Sequence, residues 1–216
     1  MYNFFKFIFD KVLALLGLTV LCLPLIIIAI AIKIDSKGPA VFKQERVGKN
    51  QKPFMLYKFR TMKSTDIKFD INHPVIFDNN ENLTKVGRVL RKIKADEMLQ
   101  LLNVLKGDMS FVGPRPLLAV YLEQYEPWEL QKFVVKPGLS GLSQVSGNGY
   151  LSSQERSYYD VMYTEKISFF TDVKVVFKTI GVVLRGEERY LKHVSHEEMQ
   201  KMQDKYTPEV TLPPNA

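Results

Sequence analysis

The hydrophobic pattern divides the chain near residue 33. Residues 12–32 carry no charge, and only Gly17, Thr19 and Pro24 interrupt an otherwise apolar run. As a helix this run would be about 31 Å long, the thickness of a bilayer's hydrocarbon core. The later patterns are shorter. Gly38-Pro39 marks a turn and Ala40-Val41-Phe42 a short strand. Residues 54–60 partly alternate apolar and basic, which predicts a strand with one basic face. Residues 64–83, rich in Asp and Asn without a period, read as a long loop. Thr84 caps a predicted helix with Val86, Val89, Leu90 and Ile93 at helical spacing, and Lys85, Arg88, Arg91 and Lys92 opposite. A second helix begins near Asp96, buries Met98, Leu101, Leu102 and Leu105, and stops at Gly107. Residues 117–126 and 153–166 read as helices, and 136–149 as a glycine-rich irregular stretch. Residues 169–184 alternate large apolar residues with Lys174 and Lys178, a pattern for a helix lying at a membrane surface. Residues 207–216, with three prolines, read as a loose end. The expected class is α+β and mainly helical. A membrane segment occupies 1–34, a small domain with short β-strands and interfacial amphipathic helices 35–190, and a tail 191–216.

Pro24 stands in the middle of the apolar run, where it removes one backbone donor and crowds the preceding turn. A spanning helix absorbs such a residue, while a helix-break-helix uses it to return to the face it entered. The residues alone leave both open. The run is longer than the roughly 7–15 residues of a signal-peptide core, and no small-x-small site precedes Lys33, so cleavage is not expected. Lys6 and Lys11 precede the run, and Lys33, Lys37, Lys43 and Arg46 follow it. The heavier basic flank puts the following domain in the cytoplasm under either geometry.

Composition adds three exclusions. With 46% hydrophobic and 25% charged residues, and the apolar excess gathered in one run, the chain is neither a polytopic membrane protein nor disordered. Its one cysteine, Cys22, allows no disulfide within the chain and no cysteine-based zinc site. The net charge of +7 calls for an anionic partner: membrane lipid, nucleic acid or a phosphorylated substrate.

Asp96-Glu97 is the most informative pair. The ordinary reading makes Asp96 a helix cap and Glu97 a favourable charge on the helix dipole. The functional reading makes one carboxylate a nucleophile toward phosphorus and the other a Mg²⁺ ligand, with basic side chains cradling the phosphate oxygens. Arg88, Arg91, Lys92 and Lys94 lie just before the pair. Arg115 stands between Pro114 and Pro116, which restrict its backbone and suit it to a phosphate. Lys58 and Arg60 read either as phosphate contacts or as solvated strand residues. His73, His193 and His196 suggest no metal site, and Gly147-Asn148-Gly149 lacks the third glycine of a dinucleotide loop.

Residues 94–116, from Lys94-Ala95-Asp96-Glu97-Met98-Leu99-Gln100 to Gly113-Pro114-Arg115-Pro116, closely resemble the bacterial sugar transferases, the monotopic phosphoglycosyl transferases. The resemblance extends over about residues 4–185. It takes in Tyr57-Lys58-Phe59-Arg60-Thr61-Met62, Lys136-Pro137-Gly138-Leu139-Ser140-Gly141, and Tyr159-Asp160 with Ser168-Phe169. It is nearest to the small subgroup similar to the bacillosamine-phosphate transferases of campylobacters. The resemblance implies transfer of a sugar-1-phosphate from a UDP-sugar to polyprenyl (undecaprenyl) phosphate, with UMP released, at the start of surface-glycan or glycoprotein-glycan assembly. It further implies Mg²⁺, a covalent intermediate, and a re-entrant helix broken at Pro24. By that resemblance Asp96 is the nucleophile and Glu97 its Mg²⁺-binding partner. Lys58, Arg60, Arg91 and Arg115 hold phosphates, and Asp10 and Lys11 match the polar start of the membrane helix.

Three departures stand out: Leu23 where the family often has Ser, Met98 where many members have Pro, and Asn148 where many carry Arg. The expectation is an enzyme of the bacterial inner membrane with its catalytic domain on the cytoplasmic face. Its partners would be the bilayer, polyprenyl phosphate and a UDP-linked, N-acetylated amino sugar, with no nucleic acid. The rivals are single-step transfer, with Asp96 as base or metal ligand, and a non-catalytic membrane adaptor that binds anionic lipid.

Overall fold

A computed structural model describes residues 2–63 and 82–206. The predicted loop at 64–83 falls almost entirely outside these residues, and the predicted loose end at 207–216 does so completely. Among the described residues the chain is mainly helical with two small sheets.

The first helix, α1 (Tyr2–Asp35), is 34 residues long and passes through Pro24. Where the family resemblance implies a break, the helix continues, because proline deletes one donor without forbidding the helical backbone around it. One narrow stripe of α1 touches the rest of the protein. Tyr2, Lys6, Asp10, Ala14, Gly17, Leu21, Leu25, Ile28, Ile32 and Asp35 are all at least half-buried, at spacings of three or four residues. The other faces carry exposed Phe4, Phe5, Phe9, Leu16, Val20, Leu23, Ile27 and Ile34. The contacts run from end to end. Tyr2 and Lys6 reach Asp172 at 2.6 and 2.5 Å. Ala14 packs with Leu56, Val104 and Met109. Ile32 packs with Phe59, Leu90, Ala95 and Leu99. The Asp35 carboxylate accepts the Val86 amide at 2.9 Å.

Strands β1 (Val41–Val47) and β2 (Pro53–Phe59) pair antiparallel, with Phe42 opposite Lys58 and Arg46 opposite Phe54. The second edge of β2 is closed by a side chain. Asn103 accepts the Tyr57 amide at 3.1 Å and donates to the Met55 carbonyl at 2.7 Å, as a neighbouring strand would. Helix α2 (Lys85–Lys92) is capped by Thr84, whose hydroxyl accepts the Gly87 amide at 2.9 Å, as the sequence predicts. A 3₁₀ segment, Ala95–Gln100, then leads into α3 (Leu101–Lys106). The predicted stripe of Met98, Leu101, Leu102 and Leu105 is therefore rotated, and Leu99, Leu101 and Val104 are the buried apolar positions. A 3₁₀ turn advances about 120° per residue rather than 100°, which re-aims everything before Leu101.

Strand β3 (Ser110–Val112) pairs in parallel with β4 (Gly138–Ser140), so the stretch read as irregular contains a strand. Gly113 and Gly138 explain its glycines. A Cβ on Gly138 would lie 2.1 Å from the Gly113 nitrogen, so two backbones cross where no side chain fits. Residues predicted as a helix at 117–126 form only the 3₁₀ segment Ala119–Gln124. Helices α4 (Ser153–Glu165) and α5 (Phe169–Arg185) appear as expected, α4 with a full Ser152–Glu155 capping box. Helix α6 (His196–Tyr206) packs Met199, Met202 and Tyr206 against Trp128 and Val161.

Asn103→Ala strands the Tyr57 amide and the Met55 carbonyl on the closed edge of β2. Each such group costs about 1–3 kcal/mol. The variant should lose about 3 kcal/mol of stability, read as a lowered denaturation midpoint of the detergent-solubilised protein.

Candidate active site

Lys94 adopts a left-handed conformation, φ 58°, and turns the chain out of α2 into the 3₁₀ segment that begins with Ala95-Asp96-Glu97. Asp96 is therefore not the cap that its ordinary reading made it. Lys94 takes the cap position, and Asp96 lies inside the first turn. Ala95 and Leu99 anchor this turn on Ile32 of α1 and Phe59 of β2, and the Glu97 carboxylate reaches Lys58 and Arg115.

Glu97 is the hub. Its Oε1 accepts from the Lys58 ammonium at 2.7 Å and lies 3.4 Å from the Arg115 guanidinium. Burial acts to raise its pKa, but Arg115, Lys58 and Lys94 together hold the carboxyl down to about 2. Ionised Glu97 therefore stabilises the fold at neutral pH, and that contribution fades as pH falls from the ordinary carboxylate range toward 2. Asp96 moves the other way. Burial and the neighbouring Glu97 charge raise its pKa, against the opposing pull of Lys58 and Arg91. Among the described residues, no ion pair within 4 Å engages it. The site thus holds one carboxylate paired with cations and, beside it, a second whose ionised form is disfavoured by burial and by the Glu97 charge.

Arg115 is placed by backbone. Gly138 donates its amide to the Pro114 carbonyl at 2.8 Å, and Val47 of β1 donates to the Leu117 carbonyl at 2.8 Å. The two prolines fix the residues between these anchors. Arg46 completes the cationic wall. Its guanidinium bonds Gln44 at 2.6 Å and reaches the Pro116 carbonyl at 3.4 Å, and burial with the adjacent Arg115 charge lowers its pKa to about 10. Lys58 is likewise shifted down by burial and by Arg115, with Glu97 opposing. Arg46, Lys58, Glu97, Gln100, Arg115 and Gln144 line one polar cleft. Three cations around one carboxylate leave positive charge for an anionic ligand.

Not every expected residue is there. Arg91 lies close enough to act on Asp96, with its Nε 3.1 Å from the Thr61 hydroxyl. Arg60 is elsewhere. Its buried guanidinium donates to the Lys37 and Ser36 carbonyls and to the Ser36 hydroxyl, the last two at 2.8 and 2.9 Å. It holds the chain leaving α1, so its expected phosphate contact is replaced by a structural one. In a strand, residues two apart face the same way, but Arg60 lies just past the end of β2, where that alternation has lapsed. Conversely, Arg46 and Gln144 belong to the cleft and were not singled out from the sequence. In the sequence Arg46 reads only as part of the basic flank after the apolar run, which does not say which way it points.

For Mg²⁺, the carboxylates offered are Asp96 and Glu97, and the described residues hold no cluster of three or more His, Cys, Asp or Glu. That set fits an ion that keeps several waters and takes one or two protein carboxylates plus substrate phosphates. Both cations contact Oε1 of Glu97, so Oε2 remains as a ligand atom.

A sequence model of the family "Bacterial sugar transferase" matches residues 1–186. The chain is 40% identical to an uncharacterized sugar transferase, EpsL, of Bacillus subtilis, over 84% of this chain and 88% of that one. It is 39% identical to a UDP-glucose:undecaprenyl-phosphate glucose-1-phosphate transferase of Caulobacter vibrioides, over 86% and 72%. It is 36% identical to a UDP-N-acetylgalactosamine-undecaprenyl-phosphate N-acetylgalactosaminephosphotransferase of Aeromonas hydrophila, over 86% of this chain but only 45% of that longer protein. With an acidic pair set among three cations beside a long apolar helix, and with a family match over most of its length, the chain belongs to the bacterial sugar transferases.

Proposed function

We propose that this protein transfers a sugar-1-phosphate from a UDP-sugar to undecaprenyl phosphate, releasing UMP, as the first step in building a lipid-linked glycan. The observation that carries the proposal is the Asp96–Glu97 turn. It is packed on the apolar helix through Ala95 and Leu99, and its Glu97 lines the cleft with Lys58, Arg46 and Arg115. A soluble dianionic donor suits the cationic cleft, and a lipid-borne acceptor suits the exposed apolar faces of α1. The names of the relatives, which include glucose, galactose and N-acetylgalactosamine transfer to the same lipid, support the reaction class.

In this reading an Asp96 oxygen attacks the phosphorus that bears the sugar. An Asp–O–P bond forms as the bond to UMP breaks, and UMP leaves. A phosphate oxygen of undecaprenyl phosphate then attacks the same phosphorus, the Asp–O–P bond breaks, and the carboxylate returns. Splitting the transfer in this way lets one site serve a soluble and an insoluble substrate in turn. Arg115, on its fixed backbone, and Lys58 hold the diphosphate, while Glu97 keeps these two cations together. Mg²⁺, held by Asp96 and Glu97, would neutralise phosphate charge so that an anionic nucleophile can approach. For the donor we propose an N-acetylated amino sugar, as in the small subgroup that the sequence resembles.

We further propose that α1 enters the bilayer and returns to the cytoplasmic face as a bent helix. The support is the continuous contact stripe. Both ends of α1 rest on the same domain, so neither end is available to emerge on the far side. Exposed Phe169, Phe170, Phe177, Ile180, Val183 and Leu184 of α5 would lie in the adjoining interface. The adaptor reading accounts for the apolar faces but gives no role to a nucleophile-grade Asp96.

Asp96→Asn should abolish UMP release with undecaprenyl phosphate across a panel of UDP-sugars while the thermal midpoint holds. Clean variant protein that keeps substantial turnover would refute Asp96 as nucleophile. Because Asp96 must be ionised to attack and its pKa is raised, the acid limb of kcat/KM should lie above the ordinary aspartate value of about 3.9, with activity falling as pH drops through it. In a Cys22→Ser background, Asn3→Cys and Lys37→Cys should both resist a membrane-impermeant maleimide added outside intact cells. Labelling of Asn3→Cys alone would mean that α1 spans.

A further inference from the structure

Lys94 opens the nucleophile turn, yet its side chain points away from the cationic cleft. Its ammonium lies 2.7 Å from Oε1 of Glu187, just past α5, and the same oxygen accepts from the Asn148 carboxamide at 2.9 Å. These three residues come from segments some ninety and forty positions apart along the chain. Glu187 is held mostly out of solvent, its side chain 20% exposed. Burial acts to raise its pKa, but Lys94 and Asn148 more than offset it and keep the carboxyl below its ordinary range. Beside this node lies a shallow hollow, largely open to solvent, of about 390 Å³, lined by Tyr150 and by the residues from Arg185 to Arg189. The Tyr150 ring is 55% exposed.

We propose that this hollow is the subsite for the donor's sugar ring, with Glu187, Asn148 and Tyr150 as the residues that determine which sugar is accepted. The inference rests on the transferase reading and deepens it. The chemistry of the hollow differs from that of the cleft. Arg46, Lys58 and Arg115 suit phosphate, whereas the wall of the hollow sets Glu187 and Glu188 against Arg185 and Arg189, and this balance of charge with many polar groups suits an uncharged ligand rich in hydroxyls. A fixed carboxylate accepts sugar hydroxyl protons, and the Asn148 carboxamide holds that carboxylate in place. An exposed tyrosine face takes the C–H side of a pyranose. The hollow has one aromatic edge and an otherwise polar, charged wall, which suits a ring of hydroxyls better than a flat base held between two apolar faces. Lys94 connects the two regions: it bonds Glu187 directly, it stands two residues from Asp96, and its charge acts on Glu97. A change in the hollow is thereby felt at the reacting phosphorus.

The test compares Glu187→Gln, Asn148→Ala and Tyr150→Ala with the unchanged protein, full-length and in lipid nanodiscs. Calorimetry reads the affinity for UDP and for each UDP-sugar of a panel that includes glucose, galactose and N-acetylated amino sugars. Tyr150→Ala leaves the Lys94–Glu187–Asn148 node intact, so it separates sugar contact from simple loosening of the node. The expected result is a loss of about tenfold or more in affinity for the preferred UDP-sugar, with UDP affinity unchanged and the ranking of donors altered. Equal weakening of UDP and UDP-sugar would overturn the proposal, because the node would then serve the uracil, the diphosphate or the fold. No change in any variant would overturn it as well. Failure of the transferase reading is seen separately, as no UMP release by the unchanged protein with any donor, and the comparison of UDP with UDP-sugar still decides the hollow.

Discussion

An ionised carboxylate set between two cations organises this protein. Glu97, Lys58 and Arg115 come from a 3₁₀ turn, a strand and a proline-framed loop, and they share one oxygen, Oε1 of Glu97. Half-buried charges are costly unless paired, so the three segments reach their positions together or not at all. With Glu97 removed, Lys58 and Arg115 would face each other across a site already made more positive by Arg46. The same pairing sets the chemistry. It fixes Glu97 as an anion at any physiological pH, and that fixed charge helps to raise the energy of ionised Asp96 next to it. A structural ion pair and a disfavoured charge on Asp96 are two results of one arrangement.

The acidic pair is also coupled to the apolar helix by packing. Ala95 and Leu99 bracket the acidic pair and belong to the same buried cluster as Ile32 of α1 and Phe59 of β2. The catalytic turn thus stands one layer of side chains from a helix whose other faces are apolar and exposed. In the proposed reaction a lipid-borne acceptor approaches along those faces. In the proposed division of the donor, the charge-balanced hollow takes the sugar and the cationic cleft the phosphates, with Lys94 between them.

Much of this was legible in the chain. Thr84 reads as a cap because a hydroxyl before an amphipathic pattern satisfies a free amide, and the structure uses it so. The rigidity of Arg115 follows from its prolines, and the lipid-facing character of α1 from a run without charge. Local rules served where a residue acts on near neighbours. They failed where direction mattered. Arg60 and Lys58 are two apart in a basic strand pattern, yet one holds the end of α1 and the other pairs with Glu97. The glycines of residues 138–141 read as irregular because their purpose, a backbone crossing at Gly113, lies some 25 residues away.

The sequence by itself determined the partition into an apolar helix and a basic domain, the identity of the acidic pair, and the family to which the chain belongs, since each depends on residue type and short spacing. The tertiary structure alone decided which carboxylate is locked and which is poised, because that depends on charges brought from β1, β2 and the Pro114–Pro116 turn. It alone decided that Asp96 is not a cap, since a left-handed Lys94 shifts the turn by two residues. It also brought Lys94, Asn148 and Glu187 into one node. Hydrophobic periodicity records which face of an element is buried, but electrostatic partners are chosen in space, and no spacing along the chain encodes them.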